Sequence, residues 1–144
     1  MVRAIPEGYH TVTPYLMVDD LGRLVEFVER AFGATTFELL RDNEGKPRHA
    51  EVQIGDSRVM LGQARDEWPA RQSTLYLYVE DTDAMYRDAM AAGAKTIMEP
   101  VNQFYGDRNA GVEDPAGNLW WIATHVEDVS PKEMERRLAE RERK

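Results

Sequence analysis

The chain has 144 residues, 42% of them hydrophobic, enough for one domain with a real core. A net charge of −8, with no basic patch outside the C-terminal end, argues against a nucleic-acid partner, whose phosphates call for clustered Lys and Arg. The absence of cysteine removes disulfides, thiolate metal sites and a cysteine nucleophile. No apolar run approaches the ~18 residues of a membrane span, and MVRAIPEGYH lacks a signal-peptide core, so no membrane partner and a cytoplasmic location are expected.

Residues 13–18 alternate, with Pro14, Leu16 and Val18 on one face and Thr13, Tyr15 and Met17 on the other, as in a strand. Asp19 or Asp20 can cap a helix to about Phe32, whose apolar stripe is Leu24, Val25, Phe27, Val28, Ala31 and Phe32, with Gly33 as C-cap. A strand at 35–40, a turn at Asp42-Asn43-Glu44-Gly45, a strand at 48–54 and another at 57–61 complete a βαβββ unit. Ala50, Val52 and Ile54 share one face of the 48–54 strand, and His49, Glu51 and Gln53 the other.

Residues 63–72 read as a polar linker, in which Trp68 either forms a lid or packs on its own domain. The octad TPYLMVDD (13–20) then returns as TLYLYVED (74–81), and Gly-Ala follows each predicted helix. Such self-similarity marks an internal duplication. The second unit has a strand at 74–79 and a helix from Asp81 or Thr82 to about Ala92, burying Ala84, Met85, Ala89 and Met90. A strand at 95–98, a segment at 104–113, the turn Asp114-Pro115-Ala116-Gly117-Asn118 and a strand at 119–124 follow. Ser130, Pro131 and Glu133 make a capping box for a charged, largely exposed helix. The expected organisation is one domain over 1–128 (modules at about 9–63 and 73–125) and a helical tail over 129–144.

Two tandem βαβββ modules, with V-x-D before each helix and D-P-x-G before the last strand, resemble the vicinal-oxygen-chelate superfamily, which includes glyoxalase I, bleomycin-resistance proteins and extradiol dioxygenases. The resemblance covers residues 9 to about 128. The run YGDRNAGVEDPAGNLWWIATHVEDVS at 105–130 resembles, more narrowly, the PhnB-like branch. The fold implied is α+β: curved mixed sheet, helices on the convex side, a cavity on the concave side, plus the C-terminal helix. Thr13, Tyr15, Met17, Thr74, Tyr76, Tyr78, His49, Glu51, Gln53 and Trp121 would then face the cavity. Superfamily members commonly pair, and open sheet edges need cover, so a homodimer is expected.

Metal-dependent members draw His, Glu or Gln ligands from positions that align here with Thr13, Met60, Thr74 and Trp121, and Asn118 stands where the branch often has His. No metal is therefore expected. His49 and Glu51, two apart on one strand, are the candidate catalytic pair; the alternative is a polar face against water or a partner. Tyr105 and Arg108 can stand at the cavity mouth, or Asp107–Arg108 can form a local turn pair. His125 reads as a capping or interface residue.

The leading expectation is a metal-free protein that binds a small molecule, such as an aromatic drug, in the manner of antibiotic-resistance members of the superfamily. Tyr15, Tyr76, Tyr78, Phe104, Tyr105, Arg108 and Trp121 would line its cavity. The acidic charge points to cationic or neutral ligands. The alternatives are a lyase, isomerase or dioxygenase-type enzyme using His49 and Glu51, with or without a divalent metal, and an interaction protein whose cavity is filled by its own side chains.

Overall fold

The computed structural model describes residues 1–143. The first octad forms β1 (Tyr15–Val18), with Leu16 and Val18 buried and Tyr15 exposed. Asp20 caps α1 (Leu21–Phe32) by accepting from the Arg23 amide, and Gly33 ends it in the left-handed conformation (φ 66°). All six residues of the expected stripe, together with Leu21, are buried. Then follow β2 (Thr35–Arg41), β3 (Pro47–Ile54) and β4 (Ser57–Gln63). The last strand runs two residues beyond the expected end, so Gln63 belongs to the sheet. Its side chain explains why: it donates to the Asp19 carbonyl and accepts from the Leu21 amide, tying the strand to the start of α1.

The second module repeats the plan with β5 (Thr74–Tyr78), α2 (Thr82–Ala91), β6 (Lys95–Asn102), β7 (Asp107–Glu113) and β8 (Leu119–His125). Helix α2 is capped by Asp81, but its packing differs from the expected stripe: Thr82 and Ala89 are buried, whereas Ala84, Met85 and Met90 are only half-buried. Strand β6 continues past Met98 through Pro100. It lies at a sheet edge with a register shift between Met98 and Val101, where a missing N–H is tolerated.

Each module forms its own four-stranded mixed sheet, ordered β1-β4-β3-β2 and β5-β8-β7-β6, with the first strand parallel to the last and the others antiparallel. A helix covers one face of each sheet, and α1 packs against α2. Phe32 meets Trp120 across the modules at a ring-centroid distance of 4.8 Å, in one continuous core. The faces without helices are left open, and there the alternate residues His49, Tyr15, Tyr76 and Tyr78 project.

Helix α3 (Pro131–Glu142) buries no residue but is pinned by Arg137. That guanidinium donates to the Phe104 carbonyl (2.9 Å) and to both Glu127 oxygens (2.9 Å each). Among the described residues no helix is long and apolar enough to cross a membrane.

Candidate functional site

On the open face of the first module, strand periodicity sets Tyr15 of β1 beside His49 and Glu51 of β3. The Tyr15 hydroxyl lies 3.1 Å from His49 Nδ1, and His49 Nε2 lies 3.1 Å from Glu51 Oε2. A carboxylate only accepts, so in the neutral ring the proton sits on Nε2, and Nδ1 is left to accept from the phenol. The three groups form a relay that can orient a proton at the Tyr15 oxygen. The floor beside them is Gly62. A β-carbon there would come within 2.8 Å of Met17 Sδ and a Tyr15 ring carbon, so the missing side chain is what lets those two residues lie across the strand. Above this floor is a cavity of about 580 Å³, with Tyr15, Met17, His49 and Trp68 in its lining, a volume suited to a small organic ligand.

The open face of the second module is organised differently. Asp107, 3% exposed, accepts from the hydroxyls of Tyr76 (2.6 Å) and Tyr78 (3.0 Å) and pairs with His125 Nδ1 (3.0 Å). Beside it, buried Asn109 donates to the hydroxyls of Tyr76 (3.0 Å) and Tyr105 (2.7 Å) and accepts from Gln103. Burial acts to raise the Asp107 carboxyl, but bonds from Tyr76, His125 and Tyr78 outweigh it and hold the group below its ordinary value. Burial and the Asp107 bond push the Tyr76 phenol well up, and the same carboxylate raises Tyr78. His125 is raised by Asp107 and then by Asp128, 2.7 Å from Nε2.

The expected aromatic lining is thus divided. Tyr15 stands with His49 and Glu51 on one sheet, and Tyr76, Tyr78 and Tyr105 are tied together on the other. Phe104 is engaged elsewhere: it lies edge-on to Tyr105 and under Arg141 of α3 (4.9 Å). Arg108 is not at the cavity mouth, and no local Asp107–Arg108 pair forms. One residue out of phase with Asp107 and Asn109, Arg108 turns to the helix side and makes a two-pronged bond to Asp83 on α2 (2.8 and 2.9 Å). Trp121 does face the open side, but lies flat across Gly111, where a β-carbon would collide with its six-membered ring. Gly111→Ala should therefore displace the indole and cost about 1–3 kcal/mol, read as lost near-UV circular dichroism and a lower urea midpoint.

Sequence alone shows Asp107 only as a possible partner for Arg108 and gives Asn109 no role, because 104–113 has no apolar alternation; Gln103 carries no signal. Starting the strand at Asp107 would have put Asp107, Asn109 and Gly111 on one face. Arg48 and Arg65, which also line the first cavity, carried no motif at all.

The model of the Glyoxalase/Bleomycin resistance protein/Dioxygenase superfamily matches residues 9–122. The chain belongs to this superfamily. It is 30% identical over 135 residues to an uncharacterized protein of Mycobacterium bovis, covering 86% of this chain and 89% of that one. An uncharacterized Mycobacterium tuberculosis protein is equally similar, with 79% of its length covered. Among solved structures, TioX from Micromonospora sp. ML1 superposes with a TM-score of 0.71 at 24% identity, over 81% of this chain and 99% of TioX. A glyoxalase/bleomycin resistance protein/dioxygenase family enzyme from Burkholderia phytofirmans PsJN gives 0.64 at 19%, over 78% and 95%. These likenesses speak to the fold.

The superfamily's divalent site can be tested against the donors present. Met60 lies opposite Tyr15 on β4, and Trp121 opposite Tyr76 on β8, so the closing-strand positions offer a thioether and an indole. The positions aligned with the opening-strand ligands are Thr13, just before β1, and Thr74, the first residue of β5, and both offer only hydroxyls. Among the described residues no three His, Cys, Asp or Glu side chains are placed to hold a metal ion. A hard divalent ion calls for carboxylate or imidazole donors, and this set does not fit it.

Proposed function

We propose that this protein binds a small planar organic molecule on the open face of its first module, independently of a metal, and works as a homodimer. The observation that carries the reading is the cavity of about 580 Å³ between Tyr15, Met17, His49 and Trp68: apolar walls, one oriented imidazole and a glycine floor. Tyr76, Tyr78 and Tyr105 enter as a second wall contributed by another copy. Tyr76 and Tyr78 are 43% and 65% exposed, and β1 and β5 each stand at a sheet edge. Helix-to-helix packing within the chain leaves both open faces free to meet a partner. The run from Tyr105 to Ser130 supports placement in the PhnB-like branch, and sequestration of an aromatic drug or metabolite is the role this cavity suits.

A thermal-shift screen of planar aromatic compounds tests the binding. At ~100-fold excess over Kd, a ligand should stabilise the native state by about 2.7 kcal/mol, and the shift should vanish in Trp68→Ala and Tyr15→Ala. A flat screen, or shifts that survive both variants, would refute it. Sedimentation showing a monomer at micromolar concentration would remove the dimer.

The relay Tyr15–His49–Glu51 favours a second reading, general acid–base catalysis at the Tyr15 oxygen. A compound bound equally by wild type and His49→Gln, yet recovered chemically altered only from wild type, would establish an enzyme. Recovery unaltered from both would leave the binding protein.

A further inference from the structure

The first-module cavity carries a charge pattern opposite to that of the whole chain. Its lining includes Arg48 and Arg65 and no aspartate or glutamate, in a protein of net charge −8. Among the described residues, neither guanidinium makes an ion pair. Other arginines do: Arg108, Arg136 and Arg137 are each engaged by carboxylates. Asp42 feels the Arg48 charge, but its Oδ1 already accepts from the amides of Glu44 and Lys46. Glu51 is outside the lining and is taken up by His49.

Local backbone devices bring both arginines to the rim. On β3, His49 pairs with Leu40 and Pro47 with Arg41. Arg48 is therefore the extra residue of a bulge, a feature that re-aims a side chain out of the strand's alternation. In the linker, Arg65 and Trp68 exchange both backbone hydrogen bonds (2.9 and 2.8 Å) and form an antiparallel bridge. Residues directly opposite in such a bridge project to the same side, so one clip sends both Arg65 and Trp68 into the cavity lining.

We infer that the cavity selects an aromatic carboxylate, its ring between Trp68 and Tyr15 and its carboxylate on Arg48 and Arg65. This deepens the proposed function and rests on that reading of the first-module cavity. Guanidinium forks match a carboxylate in shape and charge, and the aromatic walls take the planar body. The cationic or neutral ligand suggested by net charge is replaced by an anionic one, because the local field at a cleft governs what enters it.

The test is calorimetric titration of the purified protein with 2-naphthoate, 2-naphthamide and 2-naphthylmethylammonium. Naphthoate should bind about tenfold or more tightly than the amide, and the ammonium ion weakest. Arg48→Gln and Arg65→Gln, both at exposed positions, should each weaken naphthoate by about tenfold and the amide by much less. Raising salt should weaken naphthoate alone. Amide or ammonium binding as tight as naphthoate, and lost in Trp68→Ala, would overturn the anion preference and keep the cavity. So would naphthoate binding indifferent to both arginine variants. Failure of all three compounds to bind would overturn the inference and the cavity reading together.

Discussion

Asp114→Ala is expected to lower the unfolding free energy by about 4 kcal/mol, or about 8–16 °C in Tm at ~2–4 °C per kcal/mol. The D-P-A-G turn reads in sequence as local turn chemistry, yet its aspartate reaches much further. Asp114 is 3% exposed. Its Oδ1 accepts from the amides of Ala116 (2.7 Å) and Asn118 (3.0 Å), and its Oδ2 from Asn118 Nδ2 (3.1 Å) and Trp120 Nε1 (2.7 Å). Asn118 and Trp120 are fully buried, and Asn118 also accepts from the Ser73 amide at the start of β5. Alanine would strand these donors away from water, which costs far more than the hydrogen bonds are worth in a solvated state. Trp120→Phe keeps most of the ring against Phe32 and removes one donor, so its loss should be about 1–2 kcal/mol. Urea denaturation checks both. A change below about 1 kcal/mol for Asp114→Ala would mean that the turn is held by its backbone alone.

The fold was legible because its determinants are local. Of the cap residues the sequence offers, Asp20 rather than Asp19 caps α1, Asp81 rather than Thr82 caps α2, and Ser130 caps α3, and the twin octads fall on β1 and β5, which take equivalent places in two sheets. The candidate site was legible only where alternation reports a face. Tyr15, His49 and Glu51 share one, and the structure brings them into bonding distance. Arg108 shows the failure: a strand beginning at Asp107 turns its neighbour to the helix side, and Asp83 holds it there. The bulge at Arg48 and the Arg65–Trp68 clip depend on pairings between distant or irregular segments, which periodicity does not encode.

Asp107→Ala is expected to cost about 3 kcal/mol and to change how stability depends on pH. The native carboxyl lies below its ordinary value, so its contribution is present above the unfolded value near ~4 and is lost as pH falls through the depressed native one. His125 has the opposite sign: raised in the native state by Asp107 and Asp128, it contributes fully below ~6.5 and fades as pH rises through its native value. The two together are complete only between about pH 4 and 6.5. Melting temperatures should therefore decline as pH rises above about 6.5 and through the raised native value in wild type, and lose that step in His125→Gln. In Asp107→Asn the step should shrink without vanishing, since Asp128 still holds the ring. Burial and then the Asp107 bond keep the Tyr76 phenol protonated beyond the ordinary tyrosine range, and the Asp107 bond raises Tyr78, so Asp107→Asn should bring forward the alkaline absorbance change near 295 nm. If pH curves and tyrosine titrations of wild type and Asp107→Asn coincide, the carboxylate does not govern this face. If they separate as expected, one buried charge holds Tyr76, Tyr78 and His125 in place, and the second module presents an ordered wall to whatever faces it.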